Sequence, residues 1–208
     1  QAFAPINSES EMHSEMPDVI RKLRRINGYK ELFKKAFGDE EIDPFRMTEA
    51  IAVFEKTITS RKSRFDEFLE GKKRALTNEE LRGLHVFRTK AKCMNCHNGP
   101  MFSDNQFHKS IFSSDDAGHY LVSHTEADIG KFKTPSLRDV MRTGPWGHRG
   151  AIKHMMDILP VYNKASPSPV SDKTQMLYLS NREIMDLLAF LNAISAPPVE
   201  FSKPVLPE

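Results

Sequence analysis

Two cysteines, Cys93 and Cys96, stand three positions apart in the chain and are followed directly by His97. Paired thiols at this spacing can add across the two vinyl groups of a porphyrin, and the adjacent imidazole can then bind the iron; this is the attachment motif of a c-type haem. These are the only two cysteines among 208 residues. The motif therefore predicts covalently bound haem c, held by Cys93, Cys96 and His97.

Three other interpretations of the motif compete: a CxxC redox pair, a partial zinc site completed by His108 or His119, and chance adjacency. A thioredoxin-like redox pair is typical of a βαβ context, whereas the apolar pattern of this sequence is helical. A structural zinc site usually has a second pair of ligands at regular spacing, which this sequence lacks. We therefore favour haem.

The overall charge and hydropathy exclude two classes of partner. The formal net charge of +2 argues against a nucleic-acid partner, and the basic run at residues 21–25 is typical of a solvated helix face. No apolar run is long enough to span a membrane. Because haem c is attached outside the bacterial cytoplasm, we expect an exported, periplasmic protein.

Apolar residues recur at helical spacing along most of the chain, which predicts an all-α fold: a cytochrome c-like haem domain with additional helices and long loops. One helix is predicted from Pro17. A longer one is predicted from Pro44, with its apolar face continuing to Gly71. Capping boxes at Thr77 and Ser180 predict two more helices, the first of which leads into the haem cysteines.

The remaining stretches have weaker patterns. Residues 1–16 are predicted to be extended or looped, and residues 98–133 to form a long loop over the haem. Pro135 is predicted to begin a short helix. Pro160 is expected to end or kink the helix that starts near Ala151, leaving Tyr162 beyond the break.

With the haem motif placed, several stretches together resemble the bacterial diheme cytochrome c peroxidases and the related methylamine-utilisation (MauG-type) diheme enzymes. The resemblance covers nearly the whole chain but only the later part of a family member, the part that contains the second haem. As a set these segments are more specific than any one motif. They are Gln1 to Asn7 with Glu11-Met12, AIAVFE at 50–55, SRFD at 63–66, CMNCHNGP at 93–100 with Phe102, Asp104 and Phe107, KTPSLR at 133–138, and Thr143, Pro145, His148 and Gly150.

Two departures from the family pattern bear on function. The family has two haem motifs and a tryptophan between the haems, and the first motif and that tryptophan would both precede Gln1. The only tryptophan here, Trp146, stands where the family usually has tyrosine. Either the first haem domain lies in a separate chain or a preceding segment, or this is a monohaem relative.

The resemblance implies a peroxidase-type oxidoreductase that acts on hydrogen peroxide, with an N-terminal haem domain or a second haem-bearing chain and a redox partner protein. The alternative is a monohaem electron-transfer cytochrome without peroxidase activity. The resemblance also implies a division into residues 1–75, which contribute to the inter-haem region, residues 76–196, the haem domain, and residues 197–208, a Pro-rich tail.

The resemblance assigns roles to residues at both haems. Gln1 and Glu11 match the acid–base pair at the peroxide-binding haem, although sequence alone favours a solvated terminal segment. The register of the family's distal ligand to the second haem, counted from Gly150, falls on Tyr162. A phenolate ligand favours ferric and higher-valent iron. The alternative is a core tyrosine, with Met155 or Met156 as the ligand.

Five further residues have roles implied by the same comparison. The backbone carbonyls of Thr143 and Pro145 match positions that bind calcium between the haems, and hard oxygen ligands suit that ion; an ordinary Gly-Pro turn is the alternative. Lys133 and Arg138 neutralise haem propionates or lie on the surface. His148 matches a histidine near this haem, and a hydrogen-bonded polar histidine is the alternative.

Overall fold

The computed structural model describes residues 2–109, 111–112, 115–168, 171–198 and 200–208, without the side chains of 167–168 and 171–174. The chain divides into two compact units, one of residues 1–59 with 199–208 and one of residues 60–198. The functional division predicted near residue 75 stays a prediction. Among the described residues, no helix is both long and apolar enough to cross a membrane.

The described part of the chain is helix-rich, as predicted, but it also contains four short strands, so the all-α class is confirmed only in part. Residues 107–109 pair antiparallel with residues 131–133, and residues 166–168 pair antiparallel with residues 171–175. The helices are α1 (Ala4–Asn7), α2 (Met16–Arg24), α3 (Asn27–Phe37), α4 (Pro44–Thr57), α5 (Arg64–Leu69), α6 (Asn78–Arg88), α7 (Tyr120–Ser123), α8 (Met155–Lys164) and α9 (Asn181–Ala193), and the strands are β1 (Phe107–Lys109), β2 (Lys131–Lys133), β3 (Ser166–Ser168) and β4 (Ser171–Gln175).

The first unit follows the predicted helices closely. Proline occupies the first turn of α2 and of α4, where its missing N–H costs nothing. Gly38 ends α3 at φ 95°, a left-handed conformation that glycine adopts without strain. One turn of helix, α1, replaces the loop predicted there. The unit's core is Ile6, Met16, Ile20, Phe33, Ile42 and Met47.

The predicted continuation of the Pro44 helix to Gly71 is wrong, because α4 ends at Thr57 and α5 starts afresh at Arg64. The Ser63 side chain accepts the Asp66 N–H, and the Asp66 carboxylate accepts the Ser63 N–H at 2.8 Å. This reciprocal capping box starts a new helix, so the shared apolar spacing on either side did not mean one continuous helix.

The second unit is built on the packing of α6 against α9. Gly83 makes the close approach possible, because a Cβ at that position would lie 1.9 Å from the Asp186 carbonyl oxygen. The Arg82 guanidinium also donates two hydrogen bonds to the Asp186 carboxylate, at 2.8 and 2.9 Å. The core includes Val86, Phe87, Ala91, Phe102, Val140, Met155, Leu159, Leu177, Ile184, Leu187, Phe190, Leu191 and Ile194.

Two predictions between the haem motif and residue 143 are wrong. Residues 98–133 do not form one loop, because β1 and β2 pair and α7 lies between them. The helix predicted from Pro135 is replaced by turns. Asp139 takes a left-handed φ of 57°, and its carboxylate accepts the Ala196 N–H at 2.7 Å. That long-range bond stabilises a turn where the local pattern favoured a helix.

Helix α8 runs through Pro160 instead of ending there. A proline inside a helix removes one backbone hydrogen bond and costs about 3 kcal/mol. Burial of Met155 and Leu159 in the core offsets that cost, and the Asn163 side chain ties the last turn to both the N–H and the carbonyl of Leu179, at 2.7 and 3.0 Å. Tyr162 therefore lies inside the helix.

Candidate haem-binding site

The chain reaches the cysteine pair directly from the C-terminal end of α6. Ala91 is buried beneath the following turn, and Lys92 has a φ of 54°, which reverses the chain into a 3₁₀ turn at Cys93–Asn95. The Cys93 carbonyl accepts the His97 N–H at 2.8 Å. This tight turn places Cys93, Cys96 and His97 in one small region, as the motif predicts.

A hydrogen bond from Nδ1 orients the His97 imidazole. Its Nδ1 lies 2.9 Å from the Phe102 carbonyl oxygen, which can only accept, so Nδ1 carries the proton and Nε2 keeps a lone pair. Burial lowers the pKa of His97, which keeps the ring neutral. A neutral imidazole with Nδ1–H bound to a carbonyl is the usual state of a metal-ligating histidine.

Both thiols are unpaired. Burial raises the pKa of Cys93 to about 12 and also raises the pKa of Cys96, which the Asp104 carboxylate raises further. A low-pKa redox thiol has the opposite perturbation. The CxxC redox interpretation therefore has no electrostatic support.

Three of the ligands that the zinc alternative would need lie close together. Atoms of Cys96, Asp104 and His108 that could bind a metal lie within 4.8 Å of one another. Structural zinc takes four protein ligands, and among the described residues this group has three. His119 instead stacks on Phe107, with ring centroids 3.7 Å apart. Haem attachment at Cys96 would also remove the soft ligand from this group.

Tyr162 lies in the last turn of α8. Burial, with smaller electrostatic contributions from Cys93 and Cys96, raises the pKa of Tyr162 to about 12. Its ring packs edge-on against Phe112, with centroids 5.4 Å apart. The two methionine alternatives differ from it in exposure: Met155 is buried in the core, and Met156 is 49% exposed. The distal-ligand assignment stays a prediction.

The residues predicted to meet the propionates have protein partners. The Lys133 ammonium donates to the Thr134 carbonyl at 3.1 Å. The Arg138 guanidinium pairs with the Asp66 carboxylate. His148 Nε2 lies 2.9 Å from the Asp116 carboxylate, and its ring packs on Phe132.

The structure gives the exposure of three further predicted site residues, Glu11, Thr143 and Pro145. Glu11 is exposed in the first unit, after α1, and Gln1 lies outside the described residues. Thr143 and Pro145 are exposed in the turn before Trp146.

Sequence reasoning missed two residues that shape the site. The Phe102 carbonyl was overlooked because a backbone acceptor carries no residue-type signal. Asp66 lies in the SRFD segment, which served only as evidence for the family. Nothing in that segment indicates its ion pair with Arg138.

Comparisons with known proteins add to this geometry. A family model described as di-haem cytochrome c peroxidase matches residues 1–74. The methylamine utilization protein MauG of Methylophilus methylotrophus is 34% identical over the whole of this chain and 64% of its own length. The chain belongs to the diheme cytochrome c peroxidase and MauG family.

A second member, the cytochrome c551 peroxidase of Nitrosomonas europaea, is 32% identical over the whole chain and 61% of that protein. The chain thus spans less than two thirds of the length of these relatives. A solved MauG-like protein associated with microbial copper homeostasis has the same fold with a TM-score of 0.75 and 24% identity, over 92% of this chain and 67% of that one. The diheme peroxidase BthA from Burkholderia thailandensis gives a TM-score of 0.68 at 20% identity, over 93% and 62%.

This family implies haem c, and the residues present fit that cofactor. Two unpaired thiols can supply the thioether bonds, and His97 presents an unprotonated Nε2 beside them. The donor set of one neutral imidazole and two thiols is the one that a c-type attachment site requires.

Proposed function

We propose that this chain carries the second haem of a diheme cytochrome c peroxidase or MauG-like oxidoreductase that acts on hydrogen peroxide. The observation that carries the proposal is the His97 imidazole, which Phe102 binds through Nδ1 while two unpaired thiols lie beside it. When bound, haem c supplies an iron that gains and loses single electrons, so this chain passes or stores oxidising equivalents for peroxide reacting at a partner haem.

The partner haem belongs to an N-terminal haem domain or to a second chain, and a redox partner protein exchanges electrons with the assembly. The protein is periplasmic in this proposal, since haem c is attached after export.

The chain's own residues hold and orient the cofactor. Cys93 and Cys96 would hold haem c through two thioether bonds, each formed by addition of one Sγ–H across one vinyl group. Nε2 of His97 would bind the haem iron. The Tyr162 phenol oxygen would be a second ligand to the iron, and the burial of this phenol within α8 supports the assignment. The apolar core beneath Cys93 excludes water from this side.

Gln1 and Glu11 serve the partner haem in this proposal. A Glu11 carboxylate oxygen takes a proton from hydrogen peroxide and returns it to the leaving oxygen, and Gln1 orients the peroxide. The exposure of Glu11 is compatible with access by a small substrate.

Three further assignments complete the proposal around the second haem. The carbonyls of Thr143 and Pro145 bind a calcium ion, supported by their exposure in a turn. Lys133 supplies positive charge near a propionate. His148, paired with Asp116, holds the turn that contains Trp146 against the preceding segment.

The deciding experiment counts haem in the purified native assembly. We expect the pyridine haemochrome assay to give two haems per copy of the protein, and we expect consumption of hydrogen peroxide to depend on a reduced electron donor. One haem, with no peroxide consumption, would contradict the proposal and favour the monohaem electron carrier.

Glu11→Gln is expected to slow peroxide turnover by about 100-fold, the scale of one general acid–base group. Covalent haem content and the ferric spectrum should stay unchanged, because no iron ligand is altered. Glu9→Gln, an exposed carboxylate in the same segment, is the matched control. Equal turnover of the two variants, or a spectral change in Glu11→Gln, would remove the proton-transfer role.

A further inference from the structure

We infer that Arg138 and Asp66 form a clamp that positions the Phe102 carbonyl against Nδ1 of His97, and that this clamp sets how strongly the imidazole donates to iron. The inference rests on the proposed function, in which His97 is the proximal haem ligand. Arg138 and Asp66 act through Phe102 and are positioning residues.

Phe102 needs an external restraint. Its φ of 51° lies in the left-handed region, where a bulky side chain is an outlier that persists only if its surroundings hold it. Its ring is buried among Phe65, Phe87 and Phe190, with centroid distances of 5.6, 6.1 and 6.2 Å. The strained residue is therefore the one whose carbonyl accepts the hydrogen bond from His97.

Arg138 contacts both the backbone just before Phe102 and the Phe102 ring itself. Its Nε donates to the Pro100 carbonyl at 2.8 Å, and its guanidinium carbon lies 5.4 Å from the centre of the Phe102 ring. The neighbouring Ser136 hydroxyl donates to the Met101 carbonyl at 2.7 Å. The three residues Pro100 to Phe102 are thus all held by one short segment of the chain.

Asp66 fixes Arg138 in turn. The two carboxylate oxygens accept from Nη1 and Nη2 at 2.7 and 2.8 Å, a bidentate geometry that sets the plane of the guanidinium. Burial raises the pKa of Asp66, but the hydrogen bonds from Arg138 and Ser63 outweigh that effect and hold it at about 2. The Ser63 N–H and hydroxyl bind the same carboxylate, so the start of α5 anchors the clamp.

This arrangement differs from charge neutralisation of a propionate, for which any cation suffices. The clamp uses Nε and both Nη atoms of Arg138 in fixed directions. A lysine keeps the charge, but its single ammonium cannot form the bidentate pair with Asp66 and also the bond to the Pro100 carbonyl. Lysine substitution therefore separates the two roles.

The experiment measures the reduction potential of the haem on this chain in the native protein. A strong hydrogen bond from Nδ1–H to the Phe102 carbonyl makes the imidazole a better electron donor to iron and stabilises the ferric state. Loss of the clamp should therefore raise the reduction potential. We expect Asp66→Asn, Arg138→Gln and Arg138→Lys each to raise it. We expect the double variant Asp66→Asn/Arg138→Gln to raise it no further, because both changes remove one device.

Asp186→Asn is the matched control, because it breaks a second bidentate pair, that with Arg82, which lies between α6 and α9. It should lower stability without moving the potential. The inference is overturned if Arg138→Lys keeps the wild-type potential, or if Asp186→Asn shifts it as much as Asp66→Asn.

A second readout separates this inference from the proposed function. Nitrogen-15 NMR of labelled His97 should show a protonated Nδ1 in the reduced wild-type protein. In Asp66→Asn it should show a weaker hydrogen bond from Nδ1–H to the Phe102 carbonyl. If wild-type protein carries no covalent haem, the proposed function fails, while the same NMR comparison still tests the clamp. Unchanged His97 signals in Asp66→Asn would contradict it.

Discussion

Replacing Cys93 and Cys96 together by alanine should abolish covalent haem on this chain. No other cysteine exists among its 208 residues, so no other thiol could form the bond. Denaturing electrophoresis with haem staining reads the result directly, because only covalently held haem survives denaturation. A haem-stained band at the position of this chain in the double variant would refute the anchor assignment.

The single variants extend this test. Either Cys93→Ala or Cys96→Ala leaves one thioether bond possible, so we expect reduced but detectable staining in each. Met94→Leu is the matched control, since Met94 lies between the cysteines and is 41% exposed. It should stain like the wild type. Because Cys93 packs in the core, Cys93→Ala should also lower stability more than Cys96→Ala.

Local signals predicted the parts of this fold that local chemistry controls. The capping boxes at Thr77 and Ser180 both form, and α6 and α9 begin where those boxes predict. Pro44 and Gly38 mark a start and an end because each acts through its own backbone. The haem motif is equally local, which is why the structure keeps Cys93, Cys96 and His97 together.

Several of the misses involve contacts outside the local sequence window. Pairing of β1 with β2 joins residues that are far apart in the chain, and the bond from Ala196 to Asp139 joins residues 57 positions apart. Helix α8 persists through Pro160 because buried apolar side chains outweigh one lost hydrogen bond. Spacing within one short window carries no information on any of these partners.

Arg138 shows the same limit within the site. As a basic residue in KTPSLR, it was predicted to neutralise a haem propionate. Only its partners, Asp66 and the Pro100 carbonyl, indicate a role in positioning the backbone. Its importance depends on a residue 72 positions away.

Tyr162→Phe should change the ferric spectrum of this haem while leaving its covalent attachment intact. The substitution removes the phenol oxygen and keeps the ring that packs on Phe112. A phenolate ligand stabilises ferric iron relative to methionine, so its loss should also raise the reduction potential. Tyr178→Phe, at a tyrosine that is 73% exposed, is the matched control and should have no effect.

The methionines provide the decisive contrast, because they separate storage of oxidising equivalents from ordinary electron transfer. The wild-type ferric protein should lack the near-infrared sulfur-to-iron band of His/Met ligation, and Met155→Leu and Met156→Leu should keep its spectrum. Met155 is buried in the core, so Met155→Leu also keeps the apolar volume there nearly constant. A near-infrared band that disappears on replacing either methionine would overturn the Tyr162 assignment and return this haem to an electron-transfer role.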